Sequence, residues 1–355
     1  MHRVTIDRYF APLNLTPGTY VVDDQVAAGI MANRRGVTVT HLPNPTTGAP
    51  IDSSTASLLV CRVGGIGDLL LLSPTLRELK TRFPDLRITV ATMIDFVGAL
   101  ENNPDVAEVV TLPLPESRLA EFDRVIWYEG IIESNPAAET THAVDLYAGV
   151  AGVTVSDRRP VYVVTEAEKQ AAVTRFPRVK GRRRVGIQCF ASAVNRCYPL
   201  PHTAKVAEML VERGCEMFLF GAPGSVPGTG EVRHGVTNLT QLANAPGLRE
   251  SVAIAATCDV LLCPDSAMLH YAAALGIPCV ALFAAFDPVL RVTSEKCYVL
   301  RGRGECVSCS FHSCGFERFP EGKPCYTHGI CVPLAEIDPG RIVSKVLQQI
   351  DTFKL

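Results

Sequence analysis

Two turns of this chain carry the residue types and spacing that do chemistry. The first is Arg62-Val63-Gly64-Gly65-Ile66-Gly67-Asp68, set between the apolar run Leu58–Cys61 and an amphipathic segment. Gly64, Gly65 and Gly67 let backbone approach a ligand closely. Their spacing is not that of a dinucleotide fingerprint, and no Lys-Ser/Thr follows as in a phosphate-binding P-loop. An Asp at the start of a helix either caps it or presents a carboxylate as a general base. Asp68 is open to both readings. The second turn is Pro264-Asp265-Ser266-Ala267-Met268-Leu269-His270, after the apolar run Val260–Cys263. A small-residue helix follows, Gly276 closes it, and Cys279–Phe283 is the next strand. Strand, polar turn, helix and strand put Asp265, Ser266 and the first free N–H groups at the C-terminal edge of a parallel sheet. Such a helix start favours anions, phosphate above all. Open α/β sheets bind ligands at that edge.

Two more loops fall at the same edge. Asn195-Arg196-Cys197-Tyr198-Pro199 follows the strand Val185–Phe190, so Arg196 is either a cation for that anion or an ordinary surface arginine. Gly221-Ala222-Pro223-Gly224 follows Met217–Phe220 and is either a loop under a nucleotide or a plain Gly-Pro turn.

A cysteine cluster near the C-terminus has its own logic: Cys306-x2-Cys309-x4-Cys314-x10-Cys325-x5-Cys331, with His312 and His328 interleaved. The pattern suits a tetrahedral metal site. Phe311, Gly315, Pro320, Gly322 and Pro324 give the segment little periodic core of its own, so a staple is physically reasonable. The expectation is structural zinc or iron held by Cys306, Cys309, Cys325 and Cys331, with Cys314 as substitute. Disulfides and free thiols are the alternatives. Of the 13 cysteines, Cys61, Cys189, Cys263 and Cys279 lie in apolar strand-like runs and read as small buried hydrophobes.

The elements that position these turns are an alternation of strands and helices. Strands are expected at 58–62, 88–92, 108–112 and 124–128, with a helix over 69–83 whose Leu69, Leu72, Leu76 and Leu79 share a face. The basic stretch 175–184 reads as a solvated linker. The alternation then restarts with strands at 185–190, 217–220, 260–263 and 279–283 and helices such as 202–213 and 249–257, and a final amphipathic helix covers 338–350. This predicts two doubly wound α/β domains facing a cleft. Ahead of them, residues 1–55 form a small appended element: Tyr20–Val22 and 36–40 are strand-like, Asp23 or Asp24 caps a short helix through Ala32, and 43–50 is a linker.

A length of 355 residues fits two domains, and 47% hydrophobic content is ample for their cores. A formal charge of −2 argues against nucleic-acid binding through a basic field. No apolar run reaches about 18 residues, and the N-terminus lacks the apolar core of a signal peptide. The expected location is cytoplasmic, with at most peripheral membrane contact. The sequence is compatible with an oligomer.

Together the motifs carry a resemblance. Arg-x-Gly-Gly-Ile-Gly-Asp, then "NNPDVAEVV", "NLT" and "CDVLLCPDSAMLHYAAALGIPCVALFAAFDP", then the cysteine-bearing tail, resemble glycosyltransferase family nine, the ADP-heptose:lipopolysaccharide heptosyltransferases. The likeness covers roughly 57–350 and is strongest in 58–84 and 253–288. It implies a GT-B fold: 1–55 an extension, 56–174 a Rossmann-like acceptor domain, and 175–355 a Rossmann-like nucleotide-sugar domain with the Cys-rich segment 306–331. It implies inverting transfer of a sugar, heptose first, from a nucleoside-diphosphate donor such as ADP-heptose to a lipopolysaccharide-type glycan. By resemblance Asp68 is the base, Arg196 contacts the diphosphate, Asp265 holds the donor sugar, Ser266 and Ala267 offer N–H to phosphate, and His270 matches the family's His. Two departures stand out. Ala267 replaces Gly, and Ala284-Ala285-Phe286-Asp287-Pro288 replaces Gly-Pro-Thr-Asp-Pro, so Phe286 takes the place of a hydroxyl. No Asp-x-Asp motif is present, so no catalytic divalent metal is expected. The related autotransporter heptosyltransferases, which glycosylate protein, hold iron in such a cysteine cluster. A protein acceptor is therefore the rival within the class, favoured by the cysteines and by the N-terminal extension. A non-catalytic nucleotide-sugar binding module is the rival outside it, and the presence of Asp68, Arg196 and Asp265 counts against it.

Overall fold

The computed structural model describes residues 2–7, 15–22, 27–28, 37–41, 50–133, 135–227, 235–304 and 330–353. Its contacts gather into two units: Met1–Asn135 with Val144–Asp157, and Pro136–Ala143 with Arg158–Leu355.

The first unit holds two sheets. β1 (His2–Ile6), β2 (Gly18–Val22), β3 (Val37–His41) and the short β7 (Leu114–Pro115) make an antiparallel sheet in the order β3-β1-β2-β7. Successive side chains of a strand point to opposite faces. Tyr20 and Val22 accordingly join Val4, Ile6 and Leu15 in one small core, while Val21 packs with Leu59, Cys61, Ala91, Val125 and Trp127 in another. The N-terminal strands are thereby seated on the second sheet, which is parallel: β4 (Ser57–Cys61), β5 (Arg87–Thr92), β6 (Glu108–Thr111) and β8 (Arg124–Trp127), in the order β6-β5-β4-β8. The helix called through Ala32 lies almost wholly outside the described residues, and only Ala27 and Ala28 are seen, as helix.

Helix α1 (Ile66–Arg82) follows β4 and buries Leu69, Leu72, Leu76 and Leu79, the face read from the sequence. It also buries Leu70 and Leu71. Each such leucine contributes roughly 1.5–3 kcal/mol. Pro74 inside the helix has no N–H to offer the carbonyl four residues back. Ser73 supplies the replacement, its hydroxyl donating to the Leu70 carbonyl at 2.6 Å. Helix α2 (Ala143–Val150) completes the part of this unit that matters for the site.

The second unit is built on one parallel sheet: β9 (Arg183–Gln188), β10 (Cys215–Phe220), β11 (Val236–Asn238), β12 (Val260–Pro264), β13 (Cys279–Phe283) and β14 (Cys297–Arg301), in the order β11-β10-β9-β12-β13-β14. Helices α3 (Glu166–Arg175), α4 (Leu200–Glu212), α5 (Leu248–Ala255), α6 (Ala267–Leu275) and α7 (Pro339–Thr352) accompany it. Gly276 ends α6 in the left-handed conformation, φ +67°, which a glycine adopts without a Cβ penalty. Cys61, Cys189, Cys263 and Cys279 are buried, as expected of small hydrophobes.

The solvated-linker reading of 175–184 holds for 177–182, which are exposed and outside any helix or strand, and is corrected at the two ends of the stretch. Arg175 closes α3, Arg183 and Arg184 open β9, and Arg184 is buried. Its charge is met by Glu216 at 2.9 Å and its remaining N–H groups by Thr257 and the carbonyls of Phe176 and Pro177. A run of basic residues looks solvent-seeking by composition, and only the tertiary partners show which member turns inward.

Candidate active site

Each parallel sheet has one point where strand order reverses. In the first it lies between β4 and β8, in the second between β9 and β12. The crevice outside the strand ends at such a switch point is where open α/β sheets take ligands.

At the first switch point β4 runs into Arg62 and β8 into Tyr128 and Glu129. Gly65, at φ +70°, is the residue preceding α1, and Asp68 is the third residue of the helix. The capping alternative for Asp68 is thus set aside, since the cap position belongs to Gly65. Asp68 retains 27% side-chain exposure, while Arg62 has none. The Tyr147 hydroxyl, from α2, donates to Asp68 Oδ1 at 2.9 Å. Arg62 Nη2 stands 3.2 Å from Asp68 Oδ2, Nη1 donates to the Tyr128 carbonyl at 2.9 Å, and the guanidinium also meets Glu129 and Glu133. Glu129 in turn accepts the Val63 backbone N–H at 3.0 Å.

The electrostatics follow from burial and charge. Burial works against the Arg62 cation, but Asp68, Glu129 and Glu133 outweigh it and hold the guanidinium firmly charged, its pKa well above the ordinary value. Burial raises the Glu129 carboxyl above its usual range, against the pull of Arg62. Burial, then the Asp68 charge, push the Tyr147 phenol well up, so it stays protonated as a donor. A Cβ on Gly65 would come within 2.0 Å of Asp68 Oδ2, so the carboxylate folds into the space that this glycine leaves. Gly64 lies beside Glu129, whose Oε1 would be 3.5 Å from a Cβ there. Gly67 sits in the first turn of α1.

At the second switch point Arg196 ends a short turn after β9, and Asp265 and Ser266 follow β12. Arg196 Nη1 donates to the Asp265 carbonyl at 3.3 Å and lies 3.8 Å from its Oδ2, and Nη2 donates to the Ser192 hydroxyl. The arginine is therefore not a free surface residue, with 23% side-chain exposure. Ser266 is the N-cap of α6 but its side chain makes no capping bond, and the Leu269 N–H donates to the Ser266 carbonyl at 3.1 Å, so the N–H groups left for a ligand are those of Ala267 and Met268. Asp265 and His270 are buried. Phe286, after β13, is buried with the Arg196 guanidinium 5.8 Å from its ring centre. Gly221 follows β10, and a Cβ there would meet Ser225 Oγ at 2.5 Å; its bareness serves a close turn.

Of the cysteine ligands named from the sequence, Cys306, Cys309 and Cys325 lie outside the described residues, as does Cys314. Cys331 is described, and its side chain is buried in the core of the second unit. Among the described residues no group of three or more His, Cys, Asp or Glu side chains is arranged to hold a metal.

The model of glycosyltransferase family 9 (heptosyltransferase) matches residues 132–314, just over half of the chain. The chain belongs to glycosyltransferase family 9. Lipooligosaccharide heptosyltransferase 2 of Haemophilus influenzae is 33% identical over 110 residues, which are 29% of this chain and 32% of that protein. The chain spans about a third of the length of the curated relatives it matches first. Among solved structures, E. coli ADP-heptose LPS heptosyltransferase II superposes with a TM-score of 0.63 at 20% identity, covering 84% of this chain and 100% of that one. The iron-containing dodecameric glycosyltransferase TibC of enterotoxigenic E. coli gives 0.62 at 15% identity, covering 99% of this chain and 91% of that one. These likenesses are in fold: two Rossmann-like α/β units of the GT-B type. Among the described residues no helix is long and apolar enough to cross a membrane.

The family motifs place Asp68, Arg196 and Asp265 at the two switch points. They do not reveal Tyr147, Glu129 or Glu133. Arg62 and Glu129 had a usable signal, since each directly follows or nearly follows a strand at the C-terminal edge. Tyr147 had none, because nothing in its neighbourhood marks a helix that returns to the start of α1.

Proposed function

We propose that this family 9 protein transfers a sugar, heptose first, from a nucleoside-diphosphate donor such as ADP-heptose to a glycan acceptor of the lipopolysaccharide type. The observation that carries the reading is the placement of a carboxylate with its own hydrogen-bonded frame at one switch point, and of a cation with an open helix start at the other.

In this mechanism the acceptor oxygen forms a bond to the anomeric carbon as the bond from that carbon to the diphosphate breaks, with inversion. Asp68 takes the proton from the acceptor hydroxyl, a contribution of roughly 10²–10⁴-fold. The departing diphosphate gains negative charge. Arg196 and the N–H groups of Ala267 and Met268 at the start of α6 stabilise it, an effect of about 3–4 kcal/mol per well-placed donor. Asp265 holds the donor sugar, and Ser266 and His270, from the same turn and helix, line the donor site with it. Gly64, Gly65, Gly67 and Gly221 shape the backbone around these groups. The mechanism assigns no divalent metal to the reaction.

A protein acceptor is the second reading. It draws support from the antiparallel N-terminal sheet, an addition to the two α/β units. The cysteines Cys306, Cys309, Cys325 and Cys331 are a thiolate set that suits zinc or iron, and we assign them a structural ion that folds their segment. Turnover of a panel of nucleotide sugars, with and without acceptor, tests the proposal. Product on a lipopolysaccharide-core acceptor supports it; a mass increment on a co-expressed protein alone supports the second reading. Donor binding without turnover on any acceptor makes the protein a binding module and defeats both.

A further inference from the structure

Three arginines are buried among the described residues: Arg62, Arg184 and Arg291. Two of them are met by carboxylates, Arg62 by Asp68, Glu129 and Glu133, and Arg184 by Glu216. Arg291, only 6% exposed, has no carboxylate partner among the described residues. Its Nη1 donates to the carbonyl of Leu290 at 3.1 Å, and its guanidinium lies 5.4 Å from the ring centre of Phe286. A buried cation that lacks a counter-ion is costly, and an aromatic face offsets only part of the loss. Among the described residues no side chain supplies that counter-charge, and an anionic ligand would.

The position says which anion. Arg196 lies over the same ring, at 5.8 Å. Phe286 follows β13 and Arg291 follows the turn Pro288–Leu290, so both belong to the edge that holds Arg196, Asp265 and the start of α6. The Arg196 charge is shared with Asp265, 3.8 Å away. That pair alone presents little net positive field to a dianionic group. A second cation would strengthen that field, and Arg291 lies on the same edge.

We propose that Arg291 is a second cation for the diphosphate of the donor, with Phe286 as the apolar spacer that holds its guanidinium and that of Arg196 in place. The inference rests on the nucleoside-diphosphate reading above and adds a leaving-group residue that the family motif does not supply. Where the motif has a neutral hydroxyl, this chain brings a ring and, through it, a charge. The site is suited to any pyrophosphate-bearing molecule, and the nucleoside plays no part in this contact.

The test is calorimetry with ADP and with inorganic pyrophosphate on the full chain, comparing wild type with R291Q, R291K and R196A. The expected result is that R291Q weakens both ligands by roughly 10- to 100-fold, and that R291K, which keeps the charge, recovers most of the loss. On wild-type protein, pyrophosphate should slow amide exchange across residues 284–293, a readout that stands even if R291Q fails to fold. If R291Q binds both ligands within twofold of wild type while R196A does not, the diphosphate reading survives and Arg291 is removed from it. Unchanged exchange across 284–293 on saturation with pyrophosphate overturns the assignment in the same way. If wild type binds neither pyrophosphate nor any of ADP, GDP, UDP and CDP, the nucleoside-diphosphate reading itself falls, and the role of Arg291 with it.

Discussion

The hydroxyl of Tyr147 donates to one oxygen of the Asp68 carboxylate at 2.9 Å, while Arg62 stands 3.2 Å from the other. A hydrogen bond on one oxygen and an ion pair on the other, from two elements, fix the plane of the carboxylate. A base that must meet a hydroxyl proton at hydrogen-bond distance gains from that fixity. Arg62 is itself shared with Glu129 and Glu133, so the frame is a network and not a single pair. Asp68→Asn should lower the transfer rate by roughly 10²–10⁴-fold with nucleotide affinity unchanged. Tyr147→Phe, which keeps the ring and removes the donor, should lower kcat by about tenfold, the effect of one lost charge-assisted hydrogen bond. Steady-state kinetics with a nucleotide titration checks both. Near wild-type kcat in Asp68→Asn would falsify the base assignment.

Gly65 gives a sharper test of the same carboxylate. It holds φ +70°, and a Cβ there would fall 2.0 Å from Asp68 Oδ2. Gly65→Ala therefore costs about 1–2 kcal/mol in backbone conformation and also displaces the carboxylate. The expected outcome is a modest fall in melting temperature with a loss of turnover out of proportion to it. A control, Gly152→Ala, also sits at positive φ but has nothing within 4 Å of a Cβ, and should show the stability loss alone.

The acid side of the stability curve has an assignable cause in Glu168. The guanidinium of Arg249 and the Thr165 backbone and hydroxyl hold its carboxyl down to about 2. A depressed carboxyl contributes stability that is fully present above the unfolded pKa, near 4.5, and is lost as pH falls toward 2. Glu168→Gln should therefore lower stability at pH 7, by about 1–2 kcal/mol once solvent screening of a partly exposed group is allowed for. It should also flatten the pH dependence between 4.5 and 2. Urea unfolding at a series of pH values measures both, and parallel curves for the two proteins would remove Glu168 from the account.

Much of this fold is legible in the sequence because each strand of the parallel sheets is a short apolar run ended by a polar turn. Leu58–Cys61, Val260–Cys263 and Cys279–Phe283 are all buried strand in the structure. Leu69, Leu72, Leu76 and Leu79 of α1 are legible from their helical spacing, whereas the burial of Leu70 and Leu71 is not. Arg184 and Arg291 were not legible, because a buried arginine is defined by its partners and not by its neighbours in sequence. Tyr147 was opaque because α2 returns to the first sheet from a segment whose pattern marks no site. The switch points depend on strand order, which no local pattern encodes.

The last prediction concerns residues 306–331. If the thiolates of Cys306, Cys309, Cys325 and Cys331 hold an ion, freshly purified protein should carry about one zinc or iron per chain. Cys331 is anchored in the core of the second unit, against the sheet that carries Arg196 and Asp265, so an ion there would tie the segment to that sheet. Binding free energy would then be part of the folding free energy of the segment. Replacing Cys306 and Cys309 by Ser should release the ion and lower the melting temperature. Turnover per folded molecule should persist, because Asp68 and Arg196 belong to other segments. Elemental analysis that finds no metal in reduced, freshly purified protein would count against the site. Mass mapping that finds disulfides among these cysteines would replace the ion with a covalent staple.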